Sequence, residues 1–128
     1  MNLLIIVPEQ PQITGNHVTA KRFADMLQVH GWDSDIIEVD FGSEKKICAA
    51  VKKGNPDAVL LVHAYRAGGP FLQADLPPEL PLLVLMTGTD YNHDRKIPER
   101  AEVLEGVFER AGAIILQNHL LSERLSRE

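Results

Sequence analysis

Thr87-Gly88-Thr89-Asp90, with His93 and Asp94 just beyond, sets two threonine hydroxyls, two carboxylates and an imidazole directly after the apolar run Leu82–Met86. Such groups can hold the polar parts of a small molecule, and Asp90 can orient a hydroxyl or accept its proton. Gly88 gives a ligand access to the backbone. Two further clusters have the same character. His63 ends the apolar run Ala58–Val62 and is followed by Arg66 and the pair Gly68-Gly69. A histidine there can donate to a hydroxyl or phosphate or shuttle a proton. Arg66 can grip an anion bidentately, in a loop that its glycines make flexible. Gly15-Asn16 opens a helical pattern, and a helix N-terminus favours an exposed anion by roughly 0.3–1 kcal/mol.

Each group also has a structural role open to it. Gly15 can make a turn and Asn16 cap the helix, while His63 can be hydrogen-bonded under its loop. Arg66 can form a surface ion pair of little worth, and Asp90 can satisfy its own loop in an Asx turn. His93 and Asp94 with Asp90 lack the H-x-x-x-H or other spacing of a metal centre, and a solvated loop accounts for them, so no metal is assigned. Lys21 and Arg22 are neighbours on a helix and point in different directions, so at most one reaches a shared ligand.

The elements that must position these residues follow from periodicity. Leu3–Val7 is a continuous apolar strand ending at Pro8. Helical spacing of Ala20, Phe23, Ala24 and Leu27 predicts a helix over Asn16–His30, stopped by Gly31 in a left-handed conformation. Asp35–Val39 is a shorter strand. Ser43 is the expected N-cap of a helix with Ile47, Ala50 and Val51 inward, ended by Gly54. Ala58–Val62 and Leu82–Met86 are the third and fourth strands, and Gly68–Pro81 carries at most a short helical turn. Pro98 suits the first turn of a helix with Leu104, Val107, Phe108 and Ala111 inward, closed by Gly112. Ala113–Leu116 is a fifth strand, and a last short helix is expected from Leu120 to about Arg127.

Alternating apolar strands and helices predict a Rossmann-like three-layer α/β/α domain with a mainly parallel sheet of about five strands and right-handed crossovers. Ligands of open α/β sheets bind beyond the carboxyl ends of the strands. All three polar clusters fall at such ends, and the connection from Met86 to Pro98 is long for this class.

The 128 residues fit one domain, with 45% hydrophobic and 24% charged residues. A net charge of −5 argues against a nucleic-acid or anionic-membrane partner. The lone Cys48 excludes an internal disulfide and a four-cysteine zinc site, and packs as a small residue. No run reaches membrane length, the first lacks a signal peptide's basic flank, and the expected location is cytoplasmic. The dinucleotide fingerprint, the NTPase phosphate loop, a receiver-type acidic pair and the G-x-S-x-G nucleophile elbow are all missing.

On "ITGNHVTAKRFADMLQVHGW", "VLLVHAYRAGG" and "LLVLMTGTD" the chain resembles the N-terminal half of retaining GT-B glycosyltransferases of family 4. The combination of Gly15–Arg22, His63–Arg66 and Thr87–Asp94 is similar to the selenosugar synthases of selenoneine biosynthesis, which join a nucleotide-activated amino sugar to selenophosphate. Thr87 stands where the wider family often has histidine, so that histidine's role does not transfer.

The resemblance implies a single acceptor-side domain over residues 1–128, with the donor-binding C-terminal domain absent from them and the chain alone inactive. It implies a nucleotide-sugar donor and a small acceptor, anionic if like selenophosphate, and no cofactor. Gly15 and Asn16 would face the donor, while Arg66, Thr87, Gly88, Thr89 and Asp94 would line the substrate pocket. His63 and Asp90 would be catalytic. Two other readings remain: a free-standing small-anion binding module of Rossmann or flavodoxin type, and a small hydrolase using His63, Asp90 and His93.

Overall fold

A computed structural model describes residues 1–10, 15–86 and 93–116. The two most apolar runs become the centre of the sheet, because only a strand covered on both faces can bury side chains pointing both ways. These are β1 (Asn2–Pro8) and β3 (Ala58–Val62). They pair in parallel, with Leu3 opposite Ala58 and Ile6 opposite Leu61. Strands β2 (Asp33–Val39), β4 (Leu82–Met86) and β5 (Ala113–Leu116) complete an all-parallel sheet of order β2-β1-β3-β4-β5. This is the flavodoxin-like order, in which the chain changes direction between β1 and β3.

That reversal puts helices on both faces, as uniformly right-handed crossovers require. Helix α1 (Gly15–Val29) lies on one face, where Phe23, Ala24 and Leu27 pack on Leu3, Ile5, Val7, Leu60 and Val62. On the other face are α2 (Glu44–Gly54), α3 (Gly68–Gln73) and α4 (Pro98–Arg110). There Ile47, Phe71, Leu104 and Val107 meet Leu4, Ile6, Leu61, Val84 and Met86. Successive residues of β1 thus feed opposite layers, the period-two rule of a strand. The Rossmann-like α/β fold expected from the sequence is present.

Several local expectations change. Strand β2 starts at Asp33, two residues earlier, because pairing with Asn2 and Leu3 draws the polar Asp33 and Ser34 into the ladder. Ser43 makes no side-chain cap to α2. Its hydroxyl instead donates to Asp40 Oδ1 at 2.7 Å and accepts the Asp40 N–H at 3.0 Å, closing the preceding turn. Helix α2 does end at Gly54, and the left-handed residue that follows is Asn55, with φ 43°. Gly31 behaves as expected, with φ 85°. Gly112 does not: α4 passes through an extended Ala111, and the Gly112 N–H donates to Leu82 O at 2.8 Å, carrying the chain straight into β5. The helix expected from Leu120 lies outside the described residues.

Candidate functional site

Strand β3 delivers His63 at its carboxyl end, and the chain must turn there to enter α3. It does so with His63 at φ 85°, a left-handed conformation that L-residues seldom adopt. Three hydrogen bonds hold it. The His63 N–H donates to Leu85 O at 3.3 Å, and its carbonyl accepts the Ala67 N–H at 3.1 Å. The ring Nδ1 accepts the Arg66 N–H at 3.1 Å. Such a conformation costs of order 1–3 kcal/mol and concentrates at functional positions.

The last of these bonds fixes the chemistry of the ring. A backbone N–H can only donate, so Nδ1 is the unprotonated nitrogen and the neutral ring carries its proton on Nε2. Burial pushes the His63 imidazole down from 6.5 to about 4. Asp94 opposes the shift, and the Arg66 and Arg100 charges add to it. His63 is therefore a neutral Nε2–H donor at physiological pH.

Asp94 heads a three-residue 3-10 turn, Asp94–Lys96, immediately before α4. It is 1% exposed, among the most enclosed polar residues described. Its Oδ1 accepts from Arg100 Nη1 at 2.8 Å, and its Oδ2 lies 3.9 Å from His63 Nε2, beyond hydrogen-bond length. Oδ2 has no hydrogen-bond partner among the described residues. Arg100 is stacked 5.0 Å over the Tyr65 ring, and Tyr65 in turn lies 5.2 Å from Phe41. The hydrogen bond to Asp94 raises the Arg100 guanidinium above its ordinary value. Phe41 is half exposed, so the edge carries a flat apolar surface beside its hydrogen-bonding groups.

Arg66 reaches across the direction change of the sheet. Its Nη2 donates to Glu9 O, just beyond β1, at 3.1 Å. The two lips of the β1/β3 crevice are thereby tied together. A guanidinium has five N–H groups, so this contact leaves capacity for a ligand.

The structure thus brings together His63, Arg66 and Asp94. Asp94 is no part of a solvated loop: the strand–helix junction encloses it, while its neighbour His93 is exposed. Gly68 and Gly69 do not make a flexible loop. They form the first turn of α3, where a Cβ would lie 2.5 Å from Val107 Cγ2 and 2.5 Å from Phe41 Cε1 respectively. Their role is close packing. Asn16 lies inside α1, which already begins at Gly15, so it is not the residue before the helix. Gly15 has neither a positive φ nor, among the described residues, a close neighbour for a Cβ. Lys21 is committed to Asp25 at 3.0 Å. Thr87, Gly88, Thr89 and Asp90 lie outside the described residues.

Arg100 and Tyr65 were not singled out from the sequence. A signal for Arg100 did exist: it is a cation in the first turn of a helix, where the dipole disfavours positive charge. Asp94 supplies the compensation. His17, whose Nε2 meets Glu38 Oε1 at 3.1 Å, is a second unanticipated pairing, between the start of α1 and the end of β2.

Fold and edge together define a class, a Rossmann-like α/β domain with a polar site beyond β3 and a cross-tied crevice between β1 and β3. Over 110 residues, 86% of the chain, the sequence is 27% identical to a Xenopus tropicalis protein named "Glycosyltransferase 1 domain-containing protein 1". The chain spans 31% of that protein's length. No family model matches the chain. Among the described residues, no helix is long and apolar enough to cross a membrane.

Proposed function

We propose that this chain is the acceptor-side, N-terminal domain of a GT-B glycosyltransferase of family 4, acting on a nucleotide-sugar donor in the cytoplasm. The observation that carries the proposal is the similarity to a glycosyltransferase-domain protein across 86% of the chain. The edge chemistry supports it. A sugar needs hydroxyl partners and a flat apolar surface, and His63, Asp94 and Phe41 supply these; an anion needs Arg66. Gly15 opens α1 with room for a phosphate to approach. In this reading Gly15 and Asn16 face the donor, while Arg66, Thr87, Gly88, Thr89 and Asp94 line the acceptor pocket. His63 and Asp90 act on the reacting hydroxyl or anion. The motif similarity to selenosugar synthases makes a small anionic acceptor such as selenophosphate the first to try.

Transfer requires a second domain to close over this edge, because an activated sugar must be shielded from water. The test measures nucleoside diphosphate release from a panel of nucleotide sugars, by the native gene product and by residues 1–128 alone. The expected result is turnover by the former and none by the latter. Release by residues 1–128 alone overturns the half-enzyme reading. The flavodoxin-like strand order favours a second reading, a non-catalytic small-anion binding module. A native product that binds phosphate but consumes no nucleotide sugar would establish it.

A further inference from the structure

The two edges of the sheet are not alike. β5 is four residues long, whereas β2 runs for seven, in unbroken parallel register with β1. No described strand pairs with the outer edge of β2. A long open edge is a template for another chain unless proline, a bulge or facing charge prevents pairing. β2 has neither proline nor bulge, and its central residue is Ile36, 39% exposed. An open groove of about 320 Å³ between α1 and β2, with Trp32 and Ile36 in its wall, keeps the helix clear of that edge.

Along a strand, the N–H and carbonyl of one residue point to the same side, and those of the next point to the other. The Asp33 N–H donates inward to Met1 O at 2.9 Å, and the Val39 carbonyl accepts inward from the Glu9 N–H at 2.7 Å. Ser34, Ile36 and Glu38 therefore turn their backbone groups outward. Three such residues at alternate positions suit an antiparallel pair about a two-fold axis. With the axis at Ile36, that residue and its copy exchange both N–H···O bonds, and Ser34 meets Glu38 of the second copy. On the other face Asp33 meets Val39 and Asp35 meets Ile37.

Charge favours this register. No carboxylate lies directly opposite another, whereas an axis at Asp35 would set that carboxylate against itself. Asp35 lies on the α2 side of the strand, its Oδ2 3.8 Å from where a Cβ of Gly54 would stand. Lys46 of α2 donates to the outward Glu38 carbonyl. Across the axis, Glu38 is opposite Ser34, so each Lys46 comes beside Asp33 and Asp35 of the second copy.

We propose that β2 is a dimer edge, at which two copies of this chain pair antiparallel along Asp33–Val39 and join their sheets into one. Such a contact is isologous, the self-complementary kind that closes as a two-fold dimer. Strands run in opposite directions in the two halves, so the His63 ends face opposite ways and both clefts stay open. The pairing does not depend on the sugar-transfer reading.

The experiment measures the mass of the native gene product by light scattering after gel filtration, across micromolar concentrations. The expected result is twice the chain mass. Ile36→Pro removes an outward N–H and no bond to β1, a position at which edge strands accept proline, and should weaken dimerisation by about tenfold or more without changing the circular dichroism. Ile36→Cys places two thiols across the axis, where paired Cα atoms lie about 5.5 Å apart, within disulfide reach. Mild oxidation should cross-link it faster than Val29→Cys, although Val29 is 84% exposed.

A monomeric native product overturns the dimer. That holds also if its β2 amides resist hydrogen exchange, which would mark an edge covered by another segment of the same product. A dimer left intact by a folded Ile36→Pro, or one in which Ile36→Cys cross-links no faster than Val29→Cys, overturns this interface. The cysteine rates decide by themselves if Ile36→Pro does not fold.

Discussion

Arg100 donates to Asp94 across 2.8 Å from the first turn of α4, where the helix dipole opposes a positive charge. The carboxylate that compensates it belongs to the preceding 3-10 turn, and its second oxygen faces His63. One ion pair thus joins the first turn of α4 to the turn before it, beside the end of β3. Its orientation is further limited by the Tyr65 ring beneath the guanidinium.

Removing Arg100 should loosen the site before it unfolds the domain. In Arg100→Gln the buried Asp94 loses its charge partner, and the His63–Asp94 spacing is no longer held. A misplacement of about 1 Å can cost on the order of a hundredfold in rate. The melting temperature should fall, and, under the proposed sugar-transfer function, turnover of the native gene product should fall by at least tenfold. Arg100→Lys should recover part of the stability but less of the rate, since an ammonium cannot stack on Tyr65 as a planar guanidinium does. Equal recovery of both would mean that Arg100 serves stability alone.

Stability should fall as the solution is acidified from about pH 6.5 towards 4. The folded His63 titrates at about 4 and the unfolded one at 6.5, so between those values the unfolded chain takes up a proton that the folded chain refuses. The depressed base is harmless above 6.5, and its penalty is complete below about 4. Its full size is about 3 kcal/mol at most. His63→Asn tolerates the left-handed backbone and offers an oxygen to the Arg66 N–H, but does not titrate. Urea melts across this range should show a flatter pH dependence for the variant.

Gly68→Ala is expected to destabilise the domain by about 1–3 kcal/mol, the usual effect of overpacking. The added methyl would sit 2.5 Å from Val107 Cγ2, and valine, stiff at χ1, cannot swing away. Either α3 or α4 must shift. Denaturant midpoints measure the loss. Unchanged stability would show that the α3–α4 contact is looser than this distance requires.

Gly15→Ala should do the opposite. Among the described residues no atom lies within 4 Å of the added Cβ, and alanine is the better helix former by up to about 1 kcal/mol. Stability is expected to hold or rise slightly, while, if the proposed sugar-transfer function holds, nucleotide-sugar turnover by the native gene product falls through a higher KM. Unchanged kinetics would remove Gly15 from the donor-facing side of the site.

Much of the framework is legible in the chain itself. β3 and β4 begin and end where their apolar runs do, because a strand buried on both faces cannot include a charged residue without loss. Turn chemistry was less legible. Ser43 looked like a cap but its hydroxyl bonds to Asp40, and nothing in the sequence singled out Asn55 as the left-handed residue after Gly54. These outcomes depend on which of two nearby groups wins a local hydrogen bond, and the competing energies differ by little.

The sequence by itself determined the α/β class and the placement of His63 at a strand's carboxyl end. It could not determine that Asp94 is buried against Arg100, that the glycines after Arg66 are packing residues, or that Arg66 spans to Glu9. Those relationships join residues from 6 to 57 positions apart. Periodicity reports which face of an element is apolar, and says nothing of which side chains meet across elements. Only the folded sheet, with the turn before α4 brought to the carboxyl end of β3, set His63 Nε2 and Asp94 Oδ2 3.9 Å apart.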